Sequence, residues 1–169
     1  MHPTRKRLTL VLAIALACIA LDQATKVLAQ AYLPAHTLHL FGDIVRLHLS
    51  ENTGAFLSLG ARLSPELRFW IFTVISTGLL VGVSVYAIGT PELGRDVIVA
   101  LACVAGGGGG NLIDRITREG RVVDFLNFGL GSLLRTGILN VADIFITFGA
   151  LYVIGAGIRA ELVNQQTGE

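Results

Sequence analysis

The stretch Leu139–Phe148, LNVADIFITF, sets an asparagine and an aspartate inside a run otherwise fit for lipid. The apolar run around it, Ile138 to Ile158, is long enough to cross a bilayer, which takes about 20 residues. An aspartate at the centre of such a helix costs about 2.5–3.5 kcal/mol on insertion scales, and less near the interface. Asp143 must therefore face a protein interior or a wet cavity, and an intramembrane acid marks function by default. Counted along an α-helix from Ile138, it is expected about 7–8 Å below the start of the run.

The rest of the chain agrees with a membrane reading. Its 169 residues are 53% hydrophobic and 15% charged, against about 25% charged in soluble domains. The apolar residues are clumped into four runs. The expectation is an all-α polytopic membrane protein, a single integral domain over 1–169, with transmembrane helices at about 8–31, 67–88, 96–114 and 138–158. Ser64 fits an N-cap before the second helix, with Pro65 at its first position and Glu66 in its first turn. The third run carries five consecutive glycines, 106–110. No GK[ST] follows them, as a phosphate loop needs, so they read as small residues that let helices approach closely. A net charge of +1 points to no nucleic-acid partner. Cys18 and Cys103 each lie in an apolar run and read as packing residues without a disulfide. The basic start MHPTRKR followed by an apolar core also fits a signal peptide, with ALAC as a lipobox. Ala15 is a poor residue for that box, and the apolar segment continues past Cys18, which favours an uncleaved helix.

The connections differ in character. GTPELGR at 89–95 is a tight turn. The longer connections, about 34–63 and 115–137, both follow odd-numbered helices and so share one side of the membrane. HTLHLF, IVRLHL and the residues Val122 to Phe125 approach the alternation of short strands. Arg5, Lys6 and Arg7 argue for a cytoplasmic N terminus, whereas the arginines of the long connections argue the other way. The N-terminal cluster is followed because the first helix usually dominates.

The unusual polar residues converge on that same side. Asp22 and Lys26 end the first helix and are spaced to pair. Asn52 lies in the following loop, where with Gly54 it also suits a turn. Asn111, Asp114 and Arg115 end the third helix, and Arg115 is placed to satisfy Asp114 or to hold the loop carrying Asp124. Asn140 and Asp143 begin the fourth. His36, His39 and His48 share one loop but lack a metal-site spacing. Ser76 and Ser84 have no histidine near them to act as a base. Two carboxylates remain, Asp124 and Asp143, both beside apolar residues. A pair that shares one proton has its pKa values pushed apart. The ionised member can draw a proton from water while the protonated one polarises a carbonyl, so an amide is hydrolysed with no metal or other cofactor.

Five motifs in order, DQATK (22–26), NTGAF (52–56), GGGGGNLIDR (106–115), VVDF (122–125) and NVAD (140–143), together resemble the type II (prolipoprotein) signal peptidases of bacteria. The resemblance covers nearly the whole chain. It implies an intramembrane aspartyl endopeptidase of the inner membrane that removes the signal peptide from lipoprotein precursors, cutting just before a cysteine that carries diacylglycerol. It implies Asp124 and Asp143 as the catalytic pair, Asn52, Gly54, Asn111, Arg115 and Asn140 around substrate, and Asp22, Lys26 and Asp114 as support. It further implies a small extracytoplasmic β-rich cradle, cytoplasmic N and C termini, an active site near the outer leaflet among membrane lipids, and inhibition by the cyclic peptide globomycin.

The chain departs from the family pattern in places. Gly108 and Gly109 stand where alanine and a larger apolar residue are usual, which is expected to loosen the end of the third helix. GAFLS at 54–58 replaces the more usual GAAFS in the loop after Asn52. ILNVAD lacks a phenylalanine often found before the asparagine, and FGLGSLLRTG lacks a tryptophan often found between the two aspartate motifs. These differences bear on the contour of the groove and leave both aspartates in place. The rival readings are a small proton-coupled transporter or channel subunit, with Asp143 as a proton relay, and a non-catalytic membrane assembly factor. A transporter predicts carboxylates spread through the membrane depth, whereas these cluster at one face.

Overall fold

The computed structural model describes residues 3–33, 35–54, 63–131 and 134–167. In chain order the elements are α1 (Pro3–Tyr32), β1 (Leu38–Leu40), β2 (Val45–Asn52), α2 (Pro65–Gly89), α3 (Arg95–Thr117), β3 (Val122–Leu130), β4 (Leu134–Arg135) and α4 (Val141–Thr167). Ala55 and Phe56 of the NTGAF motif, most of GAFLS, and Ser132 and Leu133 lie outside the described residues.

All four helices are long and apolar enough to cross a membrane, as a polytopic membrane protein requires. Their outward faces carry exposed Leu16, Val81, Val85 and Leu151. Between the helices, Val11, Ile98 and Leu101 form an apolar cluster, and the rest of the interior is largely small or polar. Ala87, Ala102 and Ala142 are buried there, and so are Asp22, Lys26 and Asp114. A bilayer supplies little hydrophobic drive between helices, so close packing and internal hydrogen bonds hold them together.

The glycines of α3 make that packing possible, each against a different neighbour. A Cβ on Gly106 would fall 2.7 Å from the Ala15 carbonyl of α1, and one on Gly107 would fall 2.6 Å from the Ala142 carbonyl of α4. Gly108 abuts Leu80 of α2, and Gly109 abuts Ile19 of α1. α3 runs unbroken through Gly108 and Gly109 to Thr117, with both glycines half-buried against those side chains. Gly106→Ala is expected to destabilise by about 1–3 kcal/mol through overpacking, since the opposing atom is backbone. Gly155→Ala, with nothing within 4 Å of its Cβ, is expected to be neutral or slightly stabilising. Thermal unfolding in detergent compares the two.

α2 begins as its sequence indicates. The Ser64 side chain accepts a hydrogen bond from Leu67 N at 3.3 Å, and Pro65 opens the helix. Its next stretch, Trp70–Ile75, is wound as a π-helix, a form often found at functional sites. Nothing in the apolar pattern marks it.

The four strands form one antiparallel sheet in the order β1-β2-β3-β4. β2 pairs with β3 from Val45↔Phe128 to Asn52↔Val122, with a register shift between Leu47 and Ser50. On the other side of β3, the N–H groups of Phe125 and Leu126 both donate to the Leu139 carbonyl at 2.8 Å, and Leu139 N donates to Leu126 O. Leu139 is thus bridged to β3, so α4 starts at Val141 rather than Ile138. Asp143 lies in the first turn of α4, about 3 Å along the axis rather than 7–8 Å. The strand expected over Val122 to Phe125 runs on to Leu130.

Candidate active site

Lys26 is the centre of the polar interior. It is 1% exposed, and its ammonium has three donors. They meet Asp22 Oδ2 at 2.8 Å, Asp114 Oδ2 at 2.9 Å and Asn111 Oδ1 at 3.0 Å. The expected Asp22–Lys26 pair is therefore present and extended by Asp114. Asp22 Oδ1 also accepts from Ala142 N at the start of α4, at 3.0 Å. Asp114 Oδ2 accepts from Val123 N at the start of β3, at 3.1 Å. The cluster thereby joins α1 and α3 to the two segments that carry Asp124 and Asp143. Gln23, to which the sequence pattern assigns no role, adds to it by donating to Gly110 O and Asp114 Oδ1.

Because an ammonium only donates, Asn111 must turn its amide oxygen toward Lys26. Its Nδ2 then donates to Asp143 Oδ1 at 3.0 Å. Asn140 Nδ2 donates both to Asn111 Oδ1 at 2.9 Å and to Asp124 Oδ1 at 2.7 Å. Asn140 is also the N-cap of α4. Its Oδ1 accepts from Asp143 N at 2.9 Å, and Asp143 Oδ2 accepts from Asn140 N at 3.1 Å. This is a reciprocal capping box with an aspartate in the usual place of a glutamate. The spacing N-x-x-D carries that signal, and the apolar residues before Asn140 hide it.

Asp124 stands on β3, 2% exposed, with its second oxygen accepting from Asn52 Nδ2 at 2.9 Å. Asn52 also accepts from Gly54 N at 2.9 Å, so it shapes a turn and binds Asp124 at once. Arg115 does not pair with Asp114, which Lys26 already holds. It donates to Gly54 O at 2.9 Å and lies 5.6 Å from the centre of the Phe72 ring. Phe72 comes from the π-wound part of α2, and its position in the sequence gives no hint of this role. Arg115 Nε is buried without a hydrogen-bond partner among the described residues.

Both carboxylates, together with Asn52, Asn111, Arg115 and Asn140, line a cavity of about 430 Å³. Its remaining wall is largely apolar, from Phe72, Leu79 and Leu80 of α2 across to Ile146 of α4. Burial lifts Asp124 to about 6; the Asn52 and Asn140 hydrogen bonds and Lys26 oppose the rise, and the nearby Asp143 adds to it. The arrangement offers two carboxylates, donors fixed by a lysine, and a largely apolar chamber walled by helices.

Fold and site together define a polytopic membrane protein with a buried acidic centre at one end of its helices. Two solved structures described as bacterial membrane enzymes share the architecture at 24% identity. One has a TM-score of 0.75 over 94% of this chain and 91% of its own, and the other 0.72 over 86% and 90%. The family model described as signal peptidase (SPase) II matches residues 14–159, and the chain belongs to that family. The lipoprotein signal peptidase of Mycobacterium leprae is 34% identical, over 88% of this chain and 71% of its own length. That of Borrelia turicatae is 35% identical, over 79% and 81%, and that of Treponema denticola 34%, over 87% and 84%. Family membership makes the chain a protease.

Proposed function

We propose that the chain is an intramembrane aspartyl endopeptidase that removes the signal peptide from diacylglyceryl-modified bacterial prolipoproteins, cutting just before the lipidated cysteine. The observation that carries this reading is the pair Asp124 and Asp143, linked through Asn140 and facing one apolar cavity. One carboxylate holds the proton and polarises the scissile carbonyl; the other takes a proton from water. Asn111 and Asn140 orient the pair, and Asn52, Gly54 and Arg115 shape the wall that receives substrate. The lipid chains of the substrate lie in the bilayer between helices. In this reading the protein sits in the inner membrane with both termini cytoplasmic, the sheet outside, and the site near the outer leaflet, where globomycin also binds.

The test is cleavage by purified enzyme of a precursor with and without diacylglycerol on its cysteine. Only the modified precursor is expected to be cut, with globomycin blocking and chelators having no effect. Inhibition by a chelator that added metal reverses overturns the two-carboxylate mechanism, and equal cleavage of both precursors overturns the substrate assignment. The rate should follow a bell in pH whose apparent pKa values belong to the pair.

Stability should depend on pH as well. Asp124 titrates near 6 when folded, against 3.8 for the ordinary group, so the folded chain binds more protons across that window. Its contribution is fully present below the ordinary value and is lost as pH rises through about 6, by on the order of 3 kcal/mol. Unfolding in detergent measured across the window should show that decline, and Asp124→Asn should reduce it.

A further inference from the structure

The tip of the sheet farthest from the site carries apolar side chains that are left exposed among the described residues. Phe41, in the turn between β1 and β2, is 78% exposed; Leu130 and Leu134, flanking the neighbouring hairpin turn, are 69% and 71% exposed. The two hairpins are joined at this end, where Gly129 N donates to Ile44 O at 2.9 Å. Phe41, Gly42 and Asp43 all have left-handed backbone, with φ of 52°, 64° and 74°. That conformation is disfavoured for a bulky side chain.

A charged cluster fixes the turn from behind. Arg46 grips the Asp43 carboxylate with two hydrogen bonds of 2.7 and 2.6 Å, and His39 Nδ1 lies 2.6 Å from it. Arg135 donates to the Asp43 carbonyl at 2.9 Å. Arg46, with His39, holds the Asp43 carboxyl well below the usual carboxylate range. Two arginines against one aspartate leave the cluster positive.

From these observations we infer that the sheet tip is a lipid-binding surface, with Phe41, Leu130 and Leu134 seated among the acyl chains and Arg46 and Arg135 at the level of the phosphates. The inference rests on the four helices spanning the bilayer. β3 begins five positions after α3 ends, and its nine residues reach about 30 Å at most, so the tip stays within reach of the bilayer surface. Apolar side chains outermost with cations behind them is the order that an interfacial element presents to anionic lipid. The tip thus adds a contact with lipid beyond the helices and fixes the sheet that carries Asp124.

The test uses fluorescence of the whole protein in phospholipid vesicles. Trp70 is the single tryptophan, so Trp70→Phe gives a silent background into which Phe41→Trp and, separately, Leu134→Trp are placed. Both reporters are expected to show blue-shifted emission, loss of intensity with lipids brominated on their chains, and protection from aqueous iodide. Quenching by iodide without quenching by brominated lipid overturns the inference, because the tip then stands in water. Protection from both quenchers also overturns it, because the tip is then covered by protein.

Discussion

Replacing Asp124 or Asp143 with asparagine is expected to slow cleavage of a diacylglyceryl-modified precursor by about 10³-fold or more, in a chain that still folds. An asparagine cannot share or move the proton. The surroundings sharpen the expectation, because every oxygen of the two carboxylates accepts a hydrogen bond from a donor whose orientation is fixed. Asn111 is held by Lys26, and Asn140 by Asn111 and Asp143 N. An amide at position 124 turns its NH₂ toward Asn52 or Asn140, both of which donate there. One hydrogen bond is lost, at about 1 kcal/mol, while a buried charge is removed. The net change in stability is therefore small, and a folded, inactive variant is the expected product. Initial rates and thermal unfolding, measured on the same preparation, check both halves. A folded variant with near-normal turnover removes that aspartate from the mechanism. Asp22 and Asp114 would be the next acids to test, although Lys26 already engages both.

Much of this architecture is legible in residue order, for identifiable reasons. The apolar runs locate four helices because lipid tolerates little else, and their ends gather Asp22, Lys26, Asn111, Asp114, Asn140 and Asp143 on one side. Leu139 shows where legibility stops. An apolar residue beside a helix serves equally well as the last residue of a bridge, and only the pairing with Leu126 tells them apart. The apolar pattern misplaces the start of α4 and the depth of Asp143 for that reason. Arg115 departs from expectation differently. Helical neighbourhood suggests Asp114 as its partner, but a lysine from another helix holds that carboxylate, leaving Arg115 to bind Gly54. The π-wound stretch and Phe72 have no signature in the apolar pattern, since none of its residues is buried to mark a packed face.

Lys26→Met is expected to be among the most destabilising single changes in the protein, at about 3–5 kcal/mol. Methionine roughly fills the volume but leaves Asp22 and Asp114 buried without their common cation. Each keeps a backbone donor, Ala142 N or Val123 N, and Asp114 also keeps the half-exposed guanidinium of Arg118 at 3.5 Å, so the buried charge left uncompensated falls mainly on Asp22. Arginine should not rescue the site, since a flat guanidinium cannot reproduce three converging bonds from one nitrogen. Neutralising an acid at the same time should help: Lys26→Met with Asp114→Asn is expected to be less destabilised than the sum of the two single changes, as thermal unfolding in detergent can show. Strict additivity would mean that the contacts at 2.8 and 2.9 Å contribute no coupling. Below the unfolding temperature, Lys26→Met should also lose activity, because Asn111 then has only the Asn140 donor to hold its oxygen and so to aim its NH₂ at Asp143. The loss should appear in kcat and in the shape of the pH profile more than in KM, which separates a positioning role from a purely structural one.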